Sequence, residues 1–117
     1  MGSDKLIDAE NLMQVLEQFA SDRDWHPFHT PRNLVLALTG EVGELAEIFQ
    51  WLTDDQATNL PPADQVHLQE EVADVLLYLV RLASITKIDL NQAVIDKLGK
   101  NELKYPKPES AQEARHD

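Results

Sequence analysis

Apolar residues recur at three- and four-residue spacing in four stretches of the chain, and the breaks between them carry turn or capping chemistry. Leu12, Val15, Leu16 and Phe19 form the first stripe, which ends before the polar run Ser21-Asp22-Arg23-Asp24. A loop of Trp25, His26, Pro27, Phe28 and His29 follows. Thr30-Pro31 then signals a helix start, because threonine oxygen caps free N–H groups and proline at the first position has no donor to satisfy. The pattern predicts a second helix from Pro31 to Leu52 and a polar loop from Thr53 to Leu60. It also predicts a third helix, opened by Pro61-Pro62 and reaching Thr86. Asp89 starts a fourth helix with Gln92 in capping-box spacing, and Pro106 stops it. No stretch alternates with a period of two, so the expected fold is all-α, a four-helix-bundle-like protomer. Residues 1–106 read as a single helical domain and 107–117, poor in apolar residues, as a disordered tail.

Placing side chains at about 100° per residue puts acids where apolar residues belong. With Glu41 at zero, Leu34, Ala37, Leu45 and Ile48 lie within about 40°, and Glu44 about 60° to one side. The third helix repeats this, with Val75, Leu82 and Ile85 within about 40° of Glu71 and Asp74 about 60° away. One Glu-x-x-Glu pair usually marks a solvated face; two pairs, each inside the apolar arc of its helix, point inward together. Buried carboxylates need cations. Arg32 near one end and Arg81 well past the second pair do not supply them, so the arrangement calls for a metal ion. All-oxygen ligands favour Mg²⁺, with Mn²⁺ as a substitute, over zinc. A di-iron bundle needs Glu-x-x-His pairs on its core helices, and the second and third helices have none.

Charge and composition narrow the partners. Ten Lys and Arg against 21 Asp and Glu leave a net charge of −11, which argues against gripping the backbone of a nucleic-acid polymer. The absence of cysteine excludes disulfides and thiolate zinc sites, and no apolar run is long enough for a membrane span. A cytoplasmic location is the expectation. The third helix is apolar around most of its circumference, since Val72, Leu76, Leu79 and Val80 lie about 80° to 180° from the Glu71 stripe. That surplus predicts a homo-oligomer.

Glu41-Val42-Gly43-Glu44 and Glu71-Val72-Ala73-Asp74 give this chain the signature of the MazG-type all-α nucleoside triphosphate pyrophosphohydrolases, which it resembles over residues 10–106. Within that superfamily it looks most like the dCTP pyrophosphatase branch. The likeness rests on Arg23-Asp24-Trp25, Pro31-Arg32-Asn33-Leu34, Gly40 through Glu47, Phe49-Gln50-Trp51, Leu68 through Glu71, Asp74-Val75-Leu76, Tyr78-Leu79 and Tyr105-Pro106.

The resemblance implies that Glu41, Glu44, Glu71 and Asp74 hold Mg²⁺ and carry catalysis. It implies hydrolysis of a nucleoside triphosphate between its α- and β-phosphates, to a monophosphate and pyrophosphate, with dCTP-like deoxynucleotides favoured and a tetramer preferred over a dimer. The loop residues Trp25, His26, Phe28 and His29, with Trp51 and Tyr78, would surround the nucleotide. Angular placement agrees for the last two, which fall about 20° from Glu44 and Glu71 respectively. Trp25 and Phe28 suit base stacking, and His26 and His29 read better as hydrogen-bonding groups than as metal ligands. Lys97, Asn101 and Lys104 share one side of the fourth helix; they are either a solvated face or, as the resemblance implies, phosphate contacts. Leu16 stands where that branch has a histidine touching the substrate. The alternative is a non-enzymatic helical binding module, antitoxin-like or regulatory, against which the intact acid set argues.

Overall fold

The structure, a computed structural model, describes residues 5–108. Five α-helices occur in these residues: α1 (Glu10–Asp22), α2 (Pro31–Phe49), α3 (Asp54–Thr58), α4 (Pro62–Ile85) and α5 (Leu90–Lys104). A single 3-10 turn, His26–Phe28, lies between α1 and α2, and no strand occurs among the described residues. The expected all-α class holds. The end of the tail, residues 109–117, lies outside the described residues.

Local chemistry sets most boundaries. α1 closes with two crossed bonds, Trp25 N–H to the Ala20 carbonyl at 2.9 Å and Asp24 N–H to that of Ser21 at 3.2 Å. Asp24 sits in the left-handed region, φ 56, as such a C-terminal motif requires. Thr30 Oγ1 accepts the Asn33 N–H at 3.1 Å, and Asn33 Nδ2 donates to the Phe28 carbonyl at 3.0 Å. The first turn of α2 is thereby tied to the loop that precedes it.

The second helix is shorter than its pattern implies, and the segment after it is not all loop. α2 stops at Phe49, and Thr53, four residues on, takes an extended conformation, φ −76 and ψ 166, to cap α3. The cap is reciprocal: Thr53 Oγ1 accepts from the Gln56 backbone at 3.2 Å, and Gln56 Oε1 accepts from the Thr53 N–H at 3.0 Å. Asp54 and Asp55 in the first turn of α3 add favourable charge at its N-terminus. At α5 the cap is one-sided. Asp89 accepts from the Gln92 N–H at 3.0 Å, but the Gln92 side chain turns to Asp96 at 2.9 Å.

The described residues group into two compact units, 10–88 and, separately, 5–9 with 89–108. In the first, α4 packs against both α2 and α1, and Ala20, Leu34, Val80 and Ala83 form its buried core. Val80 therefore belongs to the protomer's interior rather than to the surplus apolar face, because packing on two neighbours uses more than one stripe of α4. Val72, Leu76 and Leu79 remain exposed, at 51%, 52% and 44%. In the second unit the Leu6 and Ile7 N–H groups both donate to Asn91 Oδ1, at 2.7 and 3.1 Å. No helix among the described residues is long and apolar enough to cross a membrane.

Candidate functional site

Contact between α2 and α4 brings the acids of the two helices together. One carboxylate oxygen from each of Glu41, Glu44 and Glu71 lies within 4.8 Å of the others. Glu41 is half-buried, Glu44 exposed and Glu71 buried. Such proximity disfavours full ionisation. The Glu41 carboxyl is pushed up to about 7 by its hydrogen bond to Glu44, by burial, and by the negative charges of Glu44, Asp74 and Glu71. Asp74 thus acts on the same cluster through its field.

Glu71 carries the clearest mark of a cation site. Its Oε2 is sealed from solvent without any hydrogen-bond partner, while Oε1 lies 3.4 Å from the exposed His67 Nε2. No lysine or arginine among the described residues is paired with these acids. A buried, unpartnered carboxylate oxygen among acids that share a proton fits a hard divalent ion, for which an all-oxygen donor set is the natural one. Mg²⁺ and Mn²⁺ both meet that description.

Asp74 also lines a cleft of about 190 Å³ together with Leu16, Phe19, Trp25, His29, Tyr78 and Arg81. Trp25 meets Phe19 edge-to-face, with ring centroids 5.5 Å apart, and the Arg23 guanidinium lies 3.4 Å from the Phe19 ring centre. His29 is tilted against Trp25 at 5.7 Å. Four aromatic or imidazole rings beside a carboxylate make a slot suited to a flat, polar ring. Leu16 forms part of its apolar wall.

His26, Phe28 and Trp51 are not among the residues that line this cleft. His26 Nε2 is 2.6 Å from Glu17 Oε2, and Phe28 is exposed in the 3-10 turn. Trp51 is 85% exposed and lies in the turn after α2, which ends at Phe49. Lys97, Asn101 and Lys104 lie on α5 in the second unit; Lys104 Nζ rests 5.4 Å from the centre of the Tyr105 ring.

Arg81 and Glu17 complete the wall around His29. Arg81, only 3% exposed, donates from Nε to His29 Nδ1 at 2.9 Å and from Nη1 to Glu17 Oε1 at 2.8 Å. Glu17 looked like an ordinary polar position of α1. Seven residues separate Arg81 from Asp74, close to two helical turns, so the register that sets Arg81 on the cleft was available. No periodicity, however, announces its partners 52 and 64 residues away. Burial and the Arg81 charge hold the His29 imidazole below the usual histidine value.

Residues 29–107 match the MazG nucleotide pyrophosphohydrolase domain. The chain is 52% identical over 99 residues to dCTP pyrophosphatase 1 of Mus musculus, covering 83% of this chain and 58% of that protein. Against dCTP pyrophosphatase 1 of Homo sapiens it is 50% identical over 99 residues, with coverage of 83% and 58%. The chain thus spans under three fifths of the length of these relatives. Its fold is similar to that of a crystallised pyrophosphatase from Archaeoglobus fulgidus, with a TM-score of 0.79 and 41% identity over 84% of this chain and 92% of that one.

Proposed function

The chain belongs to the MazG nucleotide pyrophosphohydrolase domain family, and from that premise we propose that it hydrolyses deoxynucleoside triphosphates to the monophosphate and pyrophosphate. The observation that carries this reading is the unpartnered Glu71 Oε2 within the Glu41–Glu44–Glu71 cluster, beside an aromatic cleft that Asp74 also lines. Glu41, Glu44, Glu71 and Asp74 would hold Mg²⁺, or Mn²⁺ in its place. That ion supplies charge withdrawal from the phosphate oxygens and makes a water molecule more acidic.

The chain's own residues do the rest. Trp25 and Tyr78 sandwich the base and His29 bonds its edge, while Leu16 and Phe19 keep water from that end. His26, Phe28 and Trp51 flank the nucleotide. A carboxylate oxygen of the cluster takes the proton that the attacking water loses as its oxygen bonds to the α-phosphorus and the bridging oxygen leaves with pyrophosphate. dCTP-like substrates are favoured, in keeping with relatives named dCTP pyrophosphatase 1. The working assembly is a tetramer in the cytoplasm, clearing unwanted nucleotides.

Pyrophosphate release with Mg²⁺ across a panel of deoxy- and ribonucleotides tests the proposal. dCTP should rank among the best substrates, and Glu44→Gln and Glu71→Gln should lower turnover by roughly a hundredfold or more while remaining helical. Absence of turnover on every nucleotide would leave a binding module instead.

A further inference from the structure

We propose that Arg81 sets the hydrogen-bonding polarity of the cleft: by donating to Nδ1 of His29 it fixes the imidazole proton on Nε2, so His29 meets a nucleobase as a donor and selects a ring with an acceptor on that edge. This rests on the cleft being the base site.

A guanidinium has five N–H donors, no acceptor and no accessible neutral form. The 2.9 Å contact from Arg81 Nε to His29 Nδ1 therefore has one possible sense, with Nδ1 offering a lone pair. A neutral imidazole with a lone pair on Nδ1 has its hydrogen on Nε2. The charged imidazolium would set two donors and two positive charges face to face, and burial opposes it further.

The donor cannot swing away. Arg81 is buried on α4, and its Nη1 is anchored at 2.8 Å to Glu17 Oε1 on α1. The other oxygen of Glu17 holds His26 Nε2 at 2.6 Å. One arginine–glutamate pair thus fastens both His26, which opens the 3-10 turn, and His29, which follows it. Among the described residues no protein group accepts from His29 Nε2, and the ring lines the cleft beside Trp25. The remaining Arg81 nitrogen, Nη2, is sealed without a partner at the same wall, so donors are in surplus there.

A donor in a partly apolar slot discriminates by omission. A base that turns an acceptor toward it completes the bond, whereas one that turns C–H or N–H toward it leaves the donor unpaired. The 2-carbonyl oxygen and the N3 lone pair of cytosine are acceptors of this kind. Arg81 is a positioning residue in this scheme and His29 a specificity residue.

Long-range ¹H–¹⁵N spectra of the nucleotide-free wild-type protein read the tautomer directly. His29 should show a single form with Nδ1 unprotonated and Nε2 protonated, and Arg81→Met should release it to a mixture that Arg81→Lys, still a donor, partly restores. Kinetics supply the second arm. Of two dCTP analogues, one lacking the 2-carbonyl oxygen and one with N3 replaced by C–H, at least one should show a roughly tenfold higher KM than dCTP, a penalty that His29→Ala abolishes. A proton on Nδ1, or a mixture in the wild type, overturns the assignment without any variant having to fold. A fixed tautomer with no analogue penalty overturns the recognition step. If the tautomer is fixed but no nucleotide binds or reacts, the functional reading falls and recognition falls with it, while the Arg81–His29 arrangement stands.

Discussion

Arg81 Nη1 lies 2.8 Å from Glu17 Oε1, so the buried arginine of α4 finds its counter-charge on a half-exposed glutamate of α1. The Arg81 bond, with that of His26, holds the Glu17 carboxyl below its usual range. Removing the acid strands a cation that already has one unpartnered nitrogen. Glu17→Ala should cost roughly 1–3 kcal/mol by urea unfolding, the upper end being limited by the solvent access of Glu17. The depressed acid contributes above pH 4.5 and loses its contribution as pH falls through its lower folded value, so the gap between wild type and variant should close in acid. A gap that 1 M salt abolishes at neutral pH would mean that the pair is an ordinary surface one.

Glu41 behaves in the opposite sense. Its carboxyl is raised from 4.5 to about 7, so between those values the folded, metal-free protein binds a proton that the unfolded chain has released. This contribution is fully present below pH 4.5 and is lost as pH rises through about 7. Metal binding must expel the same proton, so apparent Mg²⁺ affinity should climb by up to about tenfold per pH unit below that point and flatten above it. Isothermal titration in buffers of different ionisation enthalpy measures the proton released. Glu41→Gln should abolish that release; an unchanged proton count would place the shared proton elsewhere.

Lys87 ends α4 in the left-handed region, φ 60, with its N–H bonded to the Ser84 carbonyl at 3.2 Å and that of Ile88 to Ala83 at 2.9 Å. Glycine adopts this conformation without the Cβ clash that a lysine meets. Lys87→Gly should therefore stabilise the protein by about 1 kcal/mol, raising the thermal midpoint and leaving turnover unchanged. A fall in stability would show that the side chain makes contacts worth more than the strain.

What the sequence disclosed follows from the range of the forces involved. Thr30, Pro31 and Asp89 act within one helical turn, and each marks its helix start as its chemistry implies. The acidic positions were readable because a carboxylate inside an apolar stripe violates its own helix. Thr53 and Gln56 have the same local legibility, yet a polar run of eight residues reads as loop despite its capping pair. Arg81, Glu17 and His29 form a contact between three distant segments, and sequence spacing along any one of them is silent about the other two.

The exposed band on α4 carries the last prediction. Val72, Leu76 and Leu79 are about half exposed on a helix whose Val80 is already buried in the protomer. Exposed apolar area on that scale favours self-association, and a second copy of the same face is the simplest symmetric complement. Leu76→Glu should lower the mass measured by light scattering, cost under about 1 kcal/mol in the fold of the protomer, and reduce turnover in proportion to the loss of assembly. Val80→Glu is the contrasting control. It forces a carboxylate into the core and should unfold the protein or destabilise it by more than about 4 kcal/mol, whatever the oligomeric state. A wild-type protein that scatters as a fully active monomer, or a Leu76→Glu variant of unchanged mass, would remove this face from the assembly and leave its exposure to be explained by another partner.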